Sequence, residues 1–384
     1  MNVFKVIIAG DICPTGRVAE LFNKNDYEAV LGEVKETLQN ANISFANFEC
    51  PVVEGEGVPI EKCGPNLRCT AKGIEAVKWA GFSGVTLANN HFLDYGEGGV
   101  AKTLEVCKEH GVDTVGGGMN LNEASSTLYK EINGETLAVI NCCEHEFSIA
   151  TETTAGSNPL NPVKQYFAIK EAREKADFVL VIVHGGHEHY NLPSPRMQET
   201  YRFFIDAGAD AVVNHHQHCY SGYEVYHGKP IFYGIGNFCF DKLYDEMPSG
   251  WYEGYMVELE LGKEKIEYRL IPYTQCKETP SVELMKGEDY AKFFENIHHL
   301  NAIIADPKEL TKRHEEWMEK NGSGFEYQYL PYSNRWLISA YIRHLFPSFL
   351  SKKKLLMLQN HLECESHRER SLFALKRLVD KHKK

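Results

Sequence analysis

Six of the chain's 17 histidines fall between residues 184 and 218 of 384. His184, His187 and His189 lie in HGGHEH, and His215, His216 and His218 in NHHQH. Further upstream, short apolar runs end in residues able to hold a cation. Asp11 follows VFKVIIAG, Glu49 follows ISFANF, and Asn90, His91 and Asp94 follow GVTLAN. Carboxylates, an amide oxygen and imidazoles are donors suited to a divalent metal such as Mn, Fe or Zn. One or two ions would fit this set; in a pair about 4 Å apart, Glu49 is the candidate bridging carboxylate. Such a site activates water near neutral pH, and a neighbouring imidazole can protonate the leaving group. Taken singly, Asp11 reads equally as a turn or cap, Glu49 as a surface charge and Asn89-Asn90 as a turn. The metal reading rests on their joint occurrence at five strand ends. On an extended segment alternate residues share a side, so His216 and His218 are expected to aim together and His215 to point away.

The elements that must position these residues are legible from apolar periodicity. Strands are expected at residues 3–9, 43–48, 84–88, 112–115, 178–183 and 211–213. Helical spacing covers 26–40, 71–80, 98–110, 161–175 and 195–207. Hairpins are expected at 127–142 through Asn133-Gly134, at 222–233 and at 255–271. Strands alternating with helices predict an α/β fold with a largely parallel inner sheet, whose carboxyl strand ends share one edge. After about residue 280 the pattern becomes helical, at 288–300, 307–320, 334–346 and 352–384. Two units are therefore expected: a catalytic-type domain at 1–280 and a helical, basic C-terminal appendage at 281–384.

Composition narrows the setting. Hydrophobic residues make up 43% and charged residues 24%, as in globular proteins, and no apolar run is long enough for a membrane-spanning helix. Eleven cysteines without a CxxC pair point to a reduced compartment, and a cytoplasmic location is expected. The net charge of −12 is unevenly spread: residues 331–384 carry +8 and the remainder −20. The acidic body argues against nucleic acid as a partner.

The stretches IIAGDICPTGR, ANFECPV, TLANNHFLDYGEGG, VIVHGGHEHYNLPSP, GADAVVNHHQH and GKPIFYGIGNFCFD occur in the order of a known family. The chain resembles the CapA family of capsule and poly-γ-glutamate synthesis, with its calcineurin-like metallophosphoesterase fold. The resemblance covers roughly residues 3–273. It implies a metallophosphatase-like sheet sandwich flanked by helices. It also implies Asp11 and His218 at a first metal, Asn90, His184 and His216 at a second, and Glu49 between them. His91 corresponds to the proton donor to the leaving group, with Asp94 orienting it. Glu188 would orient His184 or contact substrate. Phosphoesterases of this fold usually carry Asp-x-His in the first motif, and here the third position is Cys13. Either Cys13 lends a thiolate or it is a packing residue and the first site is short of a ligand.

Three functions remain open at this level. One is a phosphoesterase-type hydrolase acting on a small-molecule or polymer precursor of envelope metabolism. A second is a γ-glutamyl amide hydrolase using the same centre. The third is a non-catalytic accessory of a polymer synthase, docked to a membrane-associated partner through Lys352–Lys354, Arg368, Arg370, Lys376 and Arg377. Arg17 and Arg68 are the candidate phosphate-binding arginines, and Arg17 could equally form a structural ion pair.

Overall fold

A computed structural model describes residues 4–62, 64–244, 246–262, 265–326, 334–345, 351–363 and a few isolated positions beyond. The chain opens with β1 (Phe4–Cys13), α1 (Gly16–Asn23), α2 (Glu28–Gln39) and β2 (Ile43–Phe48). It continues through α3 (Lys72–Ala80), β3 (Gly84–Thr86), α4 (Gly96–Glu109) and β4 (Asp113–Val115). Next come β5 (Gly117–Gly118), α5 (Leu121–Ala124), the hairpin β6 (Leu128–Ile132) and β7 (Glu135–Cys143), and β8 (Gly156–Ser157). Alternation resumes with α6 (Pro162–Lys175), β9 (Phe178–His184), α7 (Pro195–Ala207) and β10 (Ala211–His215). Then follow β11 (Tyr223–Tyr226), β12 (Lys229–Phe232), β13 (Asn237–Phe240), β14 (Glu253–Leu261), β15 (Ile266–Gln275) and β16 (Val282–Leu284). The last helices are α8 (Gly287–Ala305), α9 (Pro307–Glu326), α10 (Arg335–Ile342) and α11 (Lys352–Glu363).

The strands form two main sheets, ordered β16-β15-β14-β1-β2-β3-β4, with β13 also on β1, and β11-β12-β10-β9-β7-β6. In each, the inner neighbours run parallel and the hairpin strands antiparallel. This is the expected α/β sandwich flanked by helices. Parallel strands buried on both faces should be continuously apolar, and FVLVIVH of β9 is buried throughout. The sheets are aligned. Phe4 and Phe178, at the starts of β1 and β9, have ring centroids 6.1 Å apart. At the other end Asp11 of β1 lies 3.0 Å from His215 of β10. Carboxyl ends from both sheets therefore meet at one rim.

Local chemistry sets where the helices start and stop. α7 begins at Ser194, whose hydroxyl accepts from the Met197 amide at 3.2 Å, with Pro195 in the first turn. α3 ends on Gly81 in the left-handed conformation (φ +106°). β1 runs beyond the expected residue 9, bulging between Ala9 and Asp11 against β2 and pairing Asp11 with Asn237 of β13. A Cβ at Gly10 would lie 1.9 Å from the Gly236 carbonyl oxygen, so the close approach of these segments requires glycine. Neither α1 nor β13 was anticipated from periodicity.

By internal contacts the chain divides into two units, Met1–His314 and Glu315–Lys384. The sequence places the boundary at 280/281, whereas the contacts place it at 314/315. The physical reason is α8, which buries Phe293, Ile297, Leu300 and Ile304. Its Ile304 carbonyl also accepts from Gln198 of α7 at 2.9 Å. Among the described residues no helix is long and apolar enough to cross a membrane. Of the expected helix at 352–384, residues 352–363 are helical; Arg368, Arg370, Lys376 and Arg377 lie outside the described residues.

Candidate metal centre

Asp11, Glu49, Asn90, His184, His216 and His218, up to about 200 residues apart in sequence, are gathered at the common rim and all buried. Two groups of ligand atoms lie within 4.8 Å of one another: Asp11, Glu49 and His218, and Glu49, His184 and His216. Glu49 belongs to both. Its Oε1 is 3.6 Å from His184 Nε2 and 3.8 Å from His218 Nε2. Buried, that oxygen has no hydrogen-bond partner among the described residues. His184 Nε2 also lies 3.0 Å from Asn90 Oδ1 and 3.0 Å from His216 Nδ1. One ring proton can serve at most one of these contacts. Lone pairs converging on a buried point, with an orphaned carboxylate oxygen among them, fit a cation.

Electrostatics agree. Burial, then the neighbouring imidazole of His216, pushes His184 well below its ordinary range. Burial likewise lowers His218 to about 4, against the pull of Asp11. Both rings are thus neutral at physiological pH, the state in which imidazole is a ligand. Burial and the Asp11 charge push Glu49 well above its ordinary range. Burial acts to raise Asp11 too, but the His215 contact and the charges of His215 and His218 outweigh it and hold the carboxyl low. A divalent cation would relieve the carboxylate repulsion and bind the neutral rings.

His215 departs from expectation. It points into the site, its Nδ1 3.0 Å from Asp11 Oδ1. β10 ends at His215, paired in register with His184 of β9, so both side chains leave the same sheet face. The alternation argument fails one residue later, where His216 (φ +88°) and His218 (φ +54°) take left-handed backbone. Such conformations cost about 1–3 kcal/mol at a non-glycine residue and persist where the surroundings impose them. They turn His216 and His218 back beside His215.

Asn47 was also not anticipated. Its amide donates to Asp11 Oδ1 at 2.8 Å and lies 3.2 Å from His184 Nδ1, tying β1, β2 and β9 together. Its oxygen accepts from Asn89 Nδ2 at 3.1 Å. It lies on β2 two residues before Glu49, which follows the strand, a spacing that puts both on one side of extended backbone.

His91 Nδ1 lies 2.6 Å from Asp94 Oδ2. That carboxylate also accepts from the Leu67 amide at 2.6 Å and pairs with Lys62, whose side chain is buried. Nothing in the sequence around Lys62 marks it. Glu188 is surface-exposed; desolvation of its carboxyl acts to raise it, but His218 and His216 hold it below its ordinary range.

Arg17 forms an ion pair with Asp241. Its Nη2 reaches Asp241 Oδ1 at 2.8 Å and its Nε reaches Oδ2 at 3.1 Å, with further bonds to the Cys276 and Glu278 carbonyls. Arg68 donates to the Gly55 and Glu56 carbonyls and lies over the Tyr95 ring. Cys13 belongs to neither ligand group, and burial pushes its thiol up, away from the thiolate a metal would need.

The chain belongs to the bacterial capsule synthesis protein PGA_cap family, which it matches over residues 5–242. It is 36% identical over 243 residues to the capsule biosynthesis protein CapA of Bacillus anthracis, covering 61% of this chain and 59% of that protein. To the PGA biosynthesis protein CapA of Bacillus subtilis (strain 168) it is 31% identical over 244 residues, covering 63% and 64%. The chain thus spans about three fifths of the length of these curated relatives. Among solved structures, a phosphatase from Mycoplasma pneumoniae aligns over 77% of this chain and 99% of its own, with 17% identity and a TM-score of 0.44.

Proposed function

We propose that this chain is a metal-dependent hydrolase of the phosphoesterase type, acting on a precursor of capsule, poly-γ-glutamate or a related envelope polymer. The observation that supports this reading most directly is the unpartnered Glu49 Oε1 shared by two three-ligand groups; the His91–Asp94 pair directly follows Asn90, whose Oδ1 lies 3.0 Å from His184 Nε2. Asp11, Glu49 and His218 would hold one ion, and Glu49, His184 and His216, with Asn90, a second. A divalent cation bound there supplies Lewis acidity toward a phosphoryl or acyl oxygen. The donor set of carboxylates, an amide oxygen and imidazoles suits Mn, Fe or Zn. Asp94 accepts the Nδ1 proton of His91 and, as a carboxylate, supports the imidazolium form, whose second proton, on Nε2, can pass to the leaving atom. Asn47 holds Asp11, so the first ligand does not depend on the ion for its orientation.

A second reading, hydrolysis of a γ-glutamyl amide, is favoured by the two arginines. Arg17 is engaged by Asp241 and Arg68 by backbone carbonyls, so neither offers the free guanidinium fork that suits phosphate. Metal analysis of the purified protein, followed by assay of a generic phosphodiester and a γ-glutamyl amide with added Mn, separates these readings. Bound metal with turnover of the phosphodiester supports the first, and turnover of the amide alone supports the second. Bound metal with neither activity points to an accessory role. Protein that takes up no divalent metal overturns the proposal.

A further inference from the structure

Residues 331–362 contain five Lys or Arg and not one Asp or Glu, in a chain whose overall charge is −12. Within this stretch α10, RWLISAYI, is apolar around most of its circumference. Trp336 is 72% exposed, with Leu337, Ile342 and Leu345 also exposed. Arg335 and Arg343 bracket the helix, and the Arg335 guanidinium lies 5.5 Å from the centre of the Trp336 ring. α11 begins Lys352-Lys353-Lys354, and Leu355, Leu358 and Leu362 follow at spacings of three and four, on one side of the helix. Leu355, Leu356, Met357 and Leu362 are exposed. Among the described residues of the Met1–His314 unit, exposed large apolar residues are fewer for its size and are scattered along the sequence. Apolar exposure concentrated on two neighbouring helices of the sequence marks a surface that something covers.

We propose that α10 and α11 form a docking surface for an anionic lipid bilayer. The charge sign selects an anionic occupant. Apolar side chains edged by Lys and Arg are the pattern of helices lying in a membrane interface, where long basic side chains reach the headgroups and Trp sits at the boundary. An acidic protein face would match the charge and leave the leucines and Trp336 uncovered. The helices would lie on the bilayer and not cross it: eight residues of α10 extend about 12 Å, against a hydrocarbon core of about 30 Å. This inference is independent of the hydrolase reading.

The test uses the full chain and co-sedimentation with phosphatidylcholine vesicles, with and without phosphatidylglycerol. Binding is expected only to the anionic vesicles and should weaken steeply with added salt. The triple variant K352E/K353E/K354E is expected to lower the partition coefficient at least about tenfold, since each basic residue near an anionic surface adds to binding. Trp336→Ser should weaken binding at unchanged salt sensitivity. Unaltered circular dichroism and metal content would show that each variant is folded. Equal binding to neutral vesicles, or none to either kind, overturns the proposal. It is also overturned if the triple variant abolishes self-association of the free protein, or binding to a membrane-associated synthase protein, while vesicle binding persists.

Discussion

The two ends of β10 carry acidic groups in opposite circumstances. At its amino end Asp210 is buried beside an open cleft of about 900 Å³, and every part of its carboxylate is engaged. Oδ2 accepts from Arg173 Nη1 at 2.8 Å and from the Val179 amide at 2.8 Å, and Oδ1 pairs with Lys229. At the carboxyl end Glu49 and Asp11 meet histidines and one another, and Glu49 Oε1 is left without a partner. Both sites are charged and both lie at a sheet edge. The difference is satisfaction: protein groups complete the first, and a cation would complete the second. The amino-end cleft is large, but Asp210 at its wall already has its partners, so cleft volume by itself does not mark a site.

If this contrast is sound, substitutions at the two ends should separate metal and turnover from stability. The largest effect is expected for Glu49→Gln, which keeps the shape and removes the charge shared by both ligand groups. Metal affinity should fall by at least about 100-fold, and turnover with it, read by metal content after dialysis. His216→Ala should likewise lose metal. His91→Ala comes next: turnover should drop about 10²–10⁴-fold with metal content unchanged. Equal metal loss in the His91 and His216 variants would remove His91 from its role as acid. At the opposite end Asp210→Ala should leave metal and turnover as they are and cost about 1–3 kcal/mol of stability in urea unfolding. The Val179 amide loses its acceptor there, while Arg173 and Lys229, each about a third exposed, keep access to water.

The smallest and most pH-specific effect concerns Arg17. Burial acts to raise Asp241, but its bonds from Arg17 outweigh this and hold the carboxyl below its ordinary value of 3.8. A depressed folded-state pKa contributes stability that is present above the unfolded value and is lost as pH falls through the folded one. Arg17→Met should therefore be less stable than the parent by about 1–2 kcal/mol at neutral pH. The gap should close as the pH drops below about 4, and metal content should not change. A loss of phosphodiester turnover in this variant, with stability and metal retained, would restore Arg17 to a substrate-binding role.

Much of the site was legible because strand-end position is a local property. An apolar, β-branched run such as FVLVIV ends where a polar residue follows, and in a parallel sheet that end belongs to the ligand-binding edge. Asp11, Glu49, Asn90, His184, His216 and His218 all lie at such ends, and the family resemblance distinguishes them from their polar neighbours. His215 was misdirected because alternation presumes extended backbone, and the positive φ of His216 ends it there. Asn47 and Lys62 are not marked by strand-end position. An asparagine inside a strand resembles a packing residue, and the segment holding Lys62 has no periodicity from which its burial against Asp94 follows. Similarly, α8 reads as part of a separate appendage until its apolar side is seen buried with α7 and β11.

What this sequence by itself determined is the chemical inventory and the order of elements that carries it to one edge, since residue type and apolar period depend only on near neighbours. Tertiary structure alone decided which donors share a cation and which charges neutralise each other. Asp11 and His215, and Arg17 and Asp241, are more than 200 residues apart, and their distances are set by how two sheets align and where the backbone bulges or turns left-handed. Those are properties of packing between segments, which no local pattern contains.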